Sequence, residues 1–259
     1  MNEISLLPLE KIIEIWQIDL DRPLNPDANL DAILSVEERN RAERYIYARD
    51  ALRFKHCRAM LRLGLAWYLQ EVPQNILLAA NSHGKPYHAE DSSLHFNVTH
   101  SGGLGLIAFT TLGEVGIDVE ANHRDVEALE IAAQNFTGNE AAMVAEARTP
   151  QEQARIFLRF WTRKEAVLKA AGCGIPQGLD TVEVSKQPVN IVRFSSAPDG
   201  TTESNWRVQD LDLIDGFTGA VAAPAGDWSI LLRCVSLEDA VNGFAAVLPR
   251  EHLVQRERS

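Results

Sequence analysis

The segment HSGGLGLIAFTTLGEVGIDVE, residues 100–120, predicts antiparallel strands joined by glycine turns, and it ends in two acids. Alternate side chains of a strand share a face, so Asp118 and Glu120 point to one side and Ile117 and Val119 to the other. Two like charges therefore lie side by side on a strand whose other face is apolar. A solvent-facing sheet edge is the ordinary explanation of such a pair, and an acidic functional site is the alternative.

The same pattern recurs near the carboxyl end of the chain. Residues 213–233, LIDGFTGAVAAPAGDWSILLR, align with residues 100–120 without gaps. Two glycine pairs coincide, Gly103 with Gly216 and Gly113 with Gly226. Turn glycines at equal spacing are what a duplicated strand–turn–strand unit would retain. The positions of Asp118 and Glu120 hold Leu231 and Arg233 in the second copy, so we infer two related halves of which one carries the acids.

Composition indicates a globular protein and limits its partners. The 259 residues are 46% hydrophobic and 24% charged, enough to bury a core. A net charge of −11 argues against nucleic acid or an anionic membrane as the main partner. Charged residues interrupt the apolar runs of residues 1–20, so we expect no signal peptide, no membrane span and a cytoplasmic location. The widely spaced Cys57, Cys173 and Cys234 predict neither a disulfide nor a zinc site.

Helical patterns flank the strands of residues 94–120. Residues 29–71 predict a helical region with an apolar stripe that includes Leu52, and Pro73 ends it. Residues 126–147 and 151–171 predict further helices, and strands and turns return from residue 181.

The helix predicted at residues 151–171 contains an i, i+4 row that changes from apolar to charged. Phe157 and Trp161 should be buried, and Glu165 and Lys169 continue the same line toward the margin of the core. An exposed Glu–Lys pair that stabilises the helix by about 0.2–0.5 kcal/mol is the ordinary explanation. The alternative explanation is that both side chains lie in a cleft.

Three carboxylates from a strand and a helix, those of Asp118, Glu120 and Glu165, suit a hard cation such as Mg²⁺, whose coordination a substrate phosphate would complete. One candidate for phosphate binding is Lys85, in a loop with Gly84 and Pro86. The other is His100, which lies between a predicted strand and a glycine turn; a purely structural role for this histidine is the alternative. The sequence contains no Walker loop and no G-x-G-x-x-G motif.

Three segments together resemble one enzyme family. They are FNVTHSG (96–102), GIDVE (116–120) and FWTRKEAVLKAAGCGI (160–175). In this order they resemble the 4′-phosphopantetheinyl transferases of the surfactin-synthetase-activating type, in the holo-carrier-protein synthase superfamily. Both signatures of that family, G-[IV]-D-[IV]-E and W-x-x-K-E-[SA]-x-x-K, are complete, and the resemblance runs from about residue 34 to residue 228.

The resemblance implies an α+β fold with two similar pseudo-twofold-related halves. Each half would be an antiparallel sheet packed with a long helix, with the active site in the cleft between them. Residues 1–114 would form the half that contacts the nucleotide of coenzyme A, and residues 115–259 the half with the acidic strand and the catalytic helix.

The resemblance also implies roles for individual residues. Asp118, Glu120 and Glu165 match the Mg²⁺ ligands, His100 matches a residue that contacts the pyrophosphate of coenzyme A, and Lys169 matches the catalytic lysine. Glu165 would be metal ligand, base for the serine proton, or both.

The remaining matches concern coenzyme A, and the family contacts correspond here to Gly84, Lys85, Pro86, Thr99, Arg41 and Arg53. Glu38 departs from the pattern, because some members place a lysine there for the 3′-phosphate; Arg39 or Arg44 could substitute. Glu140 matches a further acidic position, but it also completes a T-x-x-E capping box with Thr137, and both interpretations stay open.

The implied reaction transfers 4′-phosphopantetheine from coenzyme A to a serine of an acyl or peptidyl carrier protein, releases 3′,5′-ADP and depends on Mg²⁺. It would serve fatty acid, polyketide or nonribosomal peptide synthesis, in a monomeric enzyme. Basic residues at 148–169 offer a face for an acidic carrier, although a solvated helix face is the alternative. Two other functions stay open: a catalytically silent module that binds coenzyme A or carrier proteins, and a metal-dependent phosphodiesterase.

Overall fold

The computed structural model describes residues 9–25, 28–90, 93–123, 126–172, 178–185, 192–193 and 205–247. The helices within these residues are α1 (Val36–Ala42), α2 (Ala48–Leu69), α3 (Ala128–Asn135), α4 (Gly138–Ala145), α5 (Pro150–Ala170) and α6 (Leu237–Val247). The strands are β1 (Ile12–Asp19), β2 (Leu78–Ala80), β3 (Pro86–His88), β4 (His95–Ser101), β5 (Leu104–Thr110), β6 (Gly116–Ala121), β7 (Val192–Arg193), β8 (Asn205–Asp210), β9 (Phe217–Pro224) and β10 (Ser229–Cys234).

Two four-stranded sheets and a small hairpin organise these strands. The first sheet has the order β10-β1-β5-β4, the second has the order β6-β9-β8-β7, and β2 pairs with β3. All pairs are antiparallel except β1 with β10, which are parallel. The α+β class predicted from the sequence is therefore confirmed.

The two sheets pack face to face, and each has a long helix on its outer face. Ile15 and Leu106 of the first sheet share a buried cluster with Ile117 and Val221 of the second. The other face of the first sheet packs on α2, and the other face of the second packs on α5. The layers therefore follow the order helix, sheet, sheet, helix, while the two halves, their pseudo-twofold axis and the boundary at residues 114 and 115 stay predictions.

The repeated segments form equivalent strands. In the gapless alignment Leu104, the first residue of β5, meets Phe217 of β9, and Gly116, the first residue of β6, meets Ser229 of β10. In each copy the second strand leaves the sheet of the first strand and joins the opposite sheet. The copies differ in one respect, because β6 pairs directly with β9 whereas β1 lies between β10 and β5.

Strand β1 is an element that the sequence patterns did not indicate. Its sequence IIEIWQID contains Glu14, which is only 1% exposed. Trp16 Nε1 and the Tyr68 hydroxyl donate to the Glu14 carboxylate at 2.9 and 2.6 Å, and Arg233 Nε lies 3.3 Å from it. Arg233, at the position that Glu120 has in the first copy, thus compensates a buried acid of β1.

The helix predictions need two further corrections. Residues 43–47 separate α1 from α2, and Leu52 is 47% exposed instead of buried. Helix α6 follows the last strand, where only strands and turns were expected; it packs against α2.

No described helix combines the length and the apolar content that a membrane span requires. Cys57 and Cys234 are free thiols, whereas Cys173 lies outside the described residues.

Candidate active site

The acidic strand lies unusually close to helix α5, and a glycine makes this possible. A Cβ atom on Gly116 would overlap the backbone of Ala166 and Ala170 in α5. Any side chain at this position would push the helix off β6. The glycine of the G-[IV]-D-[IV]-E signature therefore sets the distance between the strand that carries Asp118 and the helix that carries Lys169.

Alternation along β6 separates the acids from the core, as the sequence predicts. Ile117 and Val119 are buried between the sheets, at 0% and 1% exposure. Asp118 is also buried, but its carboxylate faces polar groups: Thr99 Oγ1 donates to Asp118 Oδ1 at 3.3 Å, and Lys169 Nζ lies 2.6 Å from the same oxygen. The strand and helix signatures thus meet in a direct ion pair.

Lys169 is held by three acceptors. Besides Asp118, its ammonium group donates to the Ile117 carbonyl at 3.3 Å and to Thr99 Oγ1 at 3.4 Å. These contacts come from β4 and β6, so the lysine lies where the two sheets and α5 meet. Burial raises the pKa of Asp118, the Lys169 charge lowers it, and the Glu120 charge raises it further.

Glu165 occupies the margin of the helix core, as its place in the i, i+4 row predicts. It is 6% exposed; on the same row of α5 Phe157 is buried, whereas Trp161, which was also predicted to be buried, is only partly buried because it borders a surface groove. Burial raises the pKa of Glu165 to about 7; the Lys169 charge opposes this shift, and the Asp118 and Glu120 charges add to it. A carboxyl group with this pKa exchanges protons near neutral pH.

Two of the three acids, Asp118 and Glu165, each have one carboxylate oxygen that forms no hydrogen bond. The buried oxygens Asp118 Oδ2 and Glu165 Oε1 have no hydrogen-bond partner. Among the described residues, no group of three or more His, Cys, Asp or Glu side chains is arranged as a ready-made metal site. Carboxylate oxygens are nevertheless the donors that Mg²⁺ prefers, and two unpartnered buried oxygens among three coupled acids fit a cation better than they fit a closed core.

Cations surround His100 at the end of β4. The ring is exposed at the surface, but partial desolvation lowers the pKa of His100, and the positive charges of Lys169, Arg53 and Arg41 lower it further. Three of the residues predicted to contact coenzyme A phosphates therefore share one electrostatic neighbourhood with Lys169. Such a cluster favours an anionic ligand.

The loop of Lys85 reaches the same region from the hairpin of β2 and β3. Gly84 has φ of +83°, a left-handed conformation that suits glycine, and Pro86 begins β3. Asn81 Oδ1 accepts from the Lys85 amide at 3.0 Å, while Asn81 Nδ2 donates to the Gly172 carbonyl at 3.1 Å. The loop is thereby tied to the segment that directly follows α5.

The Lys85 ammonium pairs with Glu114, and desolvation lowers the pKa of Lys85. A hydrogen bond from His95 is the main cause that lowers the pKa of Glu114 to about 2. Glu114 directly precedes the strand with the acids, so Lys85 lies beside the acidic site but has a carboxylate partner already.

The arginines of the first half differ in how firmly they are held. Arg53 makes a two-pronged ion pair with Asp21, whereas Arg41 is exposed and stacks over the Phe54 ring at 5.1 Å. Of the two proposed substitutes for a second phosphate-binding lysine, Arg39 donates to the backbone carbonyls of residues 31 and 34 at 2.8 and 2.6 Å. Arg44 is exposed beside Arg41 and is the better candidate.

Glu38 itself is part of the helix core. It completes a capping box with Ser35, and its buried carboxylate pairs with Arg58 and Arg62. Its side chain thus stabilises the contact between α1 and α2.

Glu140 lies in a separate buried network. The predicted capping box with Thr137 is present. Glu140 Oε2 is 2.6 Å from Lys164 Nζ, and Oε1 accepts from the Val184 amide at 2.7 Å. Both side chains of the ion pair are 0% exposed. Lys164, a signature residue, therefore anchors α5 to α4, and the geometry favours a structural role for Glu140.

The basic face expected along residues 148–169 is largely neutralised. Arg159 and Arg163 pair with Asp210 at 2.8 and 2.5 Å, and Lys164 and Lys169 pair with acids as described above. Adjacent elements supply acids that helix periodicity does not reveal, whereas Arg148 and Arg155 are exposed, so the cationic part of this face is smaller than the sequence indicates.

Sequence reasoning also missed polar residues of β4. Asn97 Oδ1 accepts from the Ile117 amide at 3.0 Å, and Ser101 Oγ donates to Glu120 Oε2 at 3.0 Å. With Thr99 they form an alternating polar row on a strand that has buried apolar neighbours. The period of two was the available signal, but nothing in it indicates the partner strand.

Comparisons with known proteins bear on the family of the chain. Residues 114–224 match the model of the 4′-phosphopantetheinyl transferase superfamily, and residues 26–112 match a model described as 4′-phosphopantetheinyl transferase, N-terminal. A putative 4′-phosphopantetheinyl transferase of Synechocystis is 36% identical, with 78% of this chain and 80% of the relative covered. The 4′-phosphopantetheinyl transferase HetI of Nostoc is 32% identical over 86% of this chain and 92% of its own length.

A third relative, the 4′-phosphopantetheinyl transferase Sfp of Bacillus subtilis, is 28% identical, with 88% of this chain and 99% of the relative covered. The matched regions contain β6, α5 and the β4 segment that build the acidic site. These matches show that the chain belongs to the 4′-phosphopantetheinyl transferase superfamily.

Proposed function

We propose that this enzyme transfers the 4′-phosphopantetheine arm of coenzyme A to a serine of an acyl or peptidyl carrier protein, in the presence of Mg²⁺, with release of 3′,5′-ADP. The observation that supports this most strongly is the pair of unpartnered buried oxygens, Asp118 Oδ2 and Glu165 Oε1, beside the ammonium of Lys169. Buried carboxylate oxygens that lack partners, next to a cluster of cations, suit a ligand that brings both a cation and phosphates.

The cation would be held by Asp118, Glu120 and Glu165. Bound there, Mg²⁺ would offset negative charge on the phosphate oxygens during transfer. Glu120 lies on the same face of β6 as Asp118. The negative charges of Asp118 and Glu120 both raise the pKa of Glu165, which supports placing the three acids in one site. In the arrangement described above, Lys169 supplies the positive charge that Asp118 requires.

Coenzyme A would lie along the cationic side of the cleft. His100 would donate to the pyrophosphate, and because its pKa is lowered, it is neutral near pH 7 until an anion binds. Arg41 and Arg53, whose charges act on His100, would lie around the 3′-phosphate. Lys85, with Gly84 and Pro86 in the hairpin loop, would approach the nucleotide, and Thr99 would orient Lys169 through their hydrogen bond.

Glu165 would act on the serine proton and Lys169 on the charge of the leaving group. The pKa of about 7 belongs to the metal-free site, and a bound cation would lower it, so Glu165 would hold the cation, accept the serine proton, or do both. The serine oxygen would then attack the β-phosphate, and the ammonium of Lys169 would stabilise charge on the departing ADP phosphate.

The carrier protein would enter through a groove that contains Glu120. This groove, of about 550 Å³, runs between α3 and α5, and its lining is mixed: Glu120 and Glu127 lie beside Ile131 and Trp161. A groove that combines apolar contact area with a few polar groups and contains one of the acids suits a protein surface that must deliver one hydroxyl group to the acidic centre.

Intact mass spectrometry of an apo carrier protein tests the proposal. After incubation with the enzyme and coenzyme A, the carrier should gain the mass of one phosphopantetheine arm only when Mg²⁺ is present. If several acyl and peptidyl carriers gain nothing while coenzyme A still binds, the chain is a silent binding module. Hydrolysis of the coenzyme A pyrophosphate without a carrier would indicate a phosphodiesterase instead.

A matched pair of variants locates the activity. Asp118→Ala should abolish transfer, because it removes a cation ligand and the partner of Lys169. Leu231→Ala changes the equivalent position of the second copy, where no acid is present, and should transfer the arm at nearly the normal rate. Transfer that continues in Asp118→Ala at ordinary Mg²⁺ concentrations would refute the assignment of the site.

A further inference from the structure

The edge strands of the two sheets meet at the site, but backbone hydrogen bonds do not pair them into one sheet. Strand β4 ends the first sheet and β6 begins the second, and the two strands belong to separate sheets although they are in contact. Side chains of β4 bridge them instead. Asn97 binds the Ile117 amide, Thr99 binds Asp118, and Ser101 binds Glu120.

The hydroxyl group of Ser101 is fixed from two directions. Its oxygen accepts from the Ala121 amide at 3.1 Å, and its proton is donated to Glu120 Oε2 at 3.0 Å. Because a serine hydroxyl has one proton, these two bonds together determine its orientation. Ala121 is buried, so the amide that fixes Ser101 is itself shielded from water.

The consequence concerns Glu120, the least buried of the three acids. A glutamate side chain has three rotatable bonds and loses considerable rotamer freedom when it is held in one place. Asp118, with a shorter side chain, is held by Thr99 and Lys169. A donor that holds Glu120 beforehand removes part of the cost of binding a cation there.

We propose that Ser101 is a positioning residue, which holds the carboxylate of Glu120 in place for the cation. The inference rests on the proposed function, because it assumes that Glu120 is a ligand. It also assigns a specific task to a residue that the signature motifs leave without one. The neighbouring positions Asn97 and Thr99 then belong to the same row of bridges.

The test compares three variants. Ser101→Ala removes the donor to Glu120, and Ser101→Thr keeps a hydroxyl on a strand residue. Thr110→Val is the matched control, since the Thr110 hydroxyl also makes two bonds, donating to the Ile12 carbonyl at 2.9 Å and accepting from the Leu112 amide at 3.2 Å, but lies in β5 away from the acids.

The first readout avoids turnover. Thermal unfolding of each protein is followed with coenzyme A, without a carrier, over a range of Mg²⁺ concentrations. Loss of an outer partner of a metal ligand typically weakens metal binding by about 10–100-fold, so Ser101→Ala should need at least about tenfold more Mg²⁺ for the half-maximal shift. Ser101→Thr and Thr110→Val should match the wild type in this respect, even though Thr110→Val unfolds more easily.

The second readout is the Mg²⁺ dependence of transfer, where Ser101→Ala should raise the half-saturating Mg²⁺ concentration and leave the rate at saturating Mg²⁺ within about twofold. If Ser101→Ala does not fold, Ser101→Cys, whose thiol is a weaker donor, should give an intermediate shift. Unchanged Mg²⁺ dependence in a folded Ser101 variant that has lost the donor overturns the inference alone. A wild-type enzyme that shows no Mg²⁺ dependence overturns the proposed metal site and the inference with it.

Discussion

At the scale of single residues, the environment of Glu165 has the clearest physical consequence. Its carboxyl group lies at the end of a buried helix row, and burial together with two neighbouring acids favours the protonated form. The features that make the charged form of Glu165 costly in the metal-free protein also leave its buried Oε1 without a partner, as a ligand position for a cation requires.

This residue predicts how the stability of the metal-free enzyme depends on pH. The folded-state pKa of about 7 exceeds the ordinary glutamate value of 4.5, so the folded protein binds more protons than the unfolded chain between these pH values. The contribution of Glu165 is fully present below pH 4.5 and is lost as the pH rises through 7, by up to about 3 kcal/mol. Glu165→Gln removes this contribution and should therefore be more stable than the wild type at pH 8.

Thermal unfolding in EDTA between pH 5 and pH 8 measures the effect. Glu130→Gln, on the exposed face of α3, is the control and should follow the wild-type curve. Equal slopes for Glu165→Gln and the wild type would mean that Glu165 is already ionised in the metal-free enzyme.

Glu140 gives a second prediction at this scale. Glu140→Ala leaves the Lys164 ammonium buried without its carboxylate, and such a loss typically costs about 3–5 kcal/mol. Lys164→Met removes the other member of the same pair and should also destabilise the protein. Denaturant unfolding measures both, and neither variant should alter the Mg²⁺ concentration needed for transfer. A higher Mg²⁺ requirement in Glu140→Ala alone would place this acid in the site.

At the scale of elements, the contact between β6 and α5 determines the geometry of the site. Gly116 allows the strand backbone to approach the helix backbone, and this approach brings Asp118 within 2.6 Å of Lys169. The glycine is as much a part of the site as the acids are, because it sets the distance between the two elements.

Gly116→Ala should therefore impair both stability and transfer. Overpacking of this kind typically costs about 1–3 kcal/mol, and a displacement of about 1 Å at an active site can reduce a rate about 100-fold. Gly138→Ala is the matched control, since no atom lies within 4 Å of the added Cβ. Measurements of unfolding and of transfer rate should separate the two variants clearly, and a normal rate in Gly116→Ala would contradict the argument.

At the scale of the whole molecule, the predicted carboxyl-terminal half contributes elements to the predicted amino-terminal half. Strand β10, from the carboxyl-terminal half, pairs with β1, and α6 packs on α2. The ion pair of buried Glu14 with partly exposed Arg233 joins the same two strands. The proposed boundary between residues 114 and 115 thus separates two halves by sequence but cuts through shared cores.

We expect that fragments 1–114 and 115–259 do not fold separately. Fragment 1–114 would expose the edge of β1 and leave Glu14 without Arg233, and both would expose the apolar surface between the sheets. Circular dichroism and amide exchange of each fragment measure this, and a mixture of the two is the control for reassembly. Cooperative unfolding of either fragment alone would show that the halves are independent folding units.

Some features of the site follow from local sequence. Alternation predicts that Asp118 and Glu120 share a face, and helix periodicity places Glu165 and Lys169 at the margin of a buried row. The equal glycine spacing of the two copies predicts equivalent strands. These predictions succeed because the period of a strand or a helix, together with the identity of nearby residues, determines which side of an element is buried.

The sequence by itself therefore determined the α+β class, the duplicated strand units and the faces that carry the acids. Only the tertiary structure decided which groups those faces meet. The pairing of β1 with β10, the bond from Ser101 to Glu120 and the compensation of Lys164 by Glu140 all join residues from different elements. Periodicity fixes the direction of a side chain along its own element, whereas its partner depends on how distant segments pack, and that is decided by the fold as a whole.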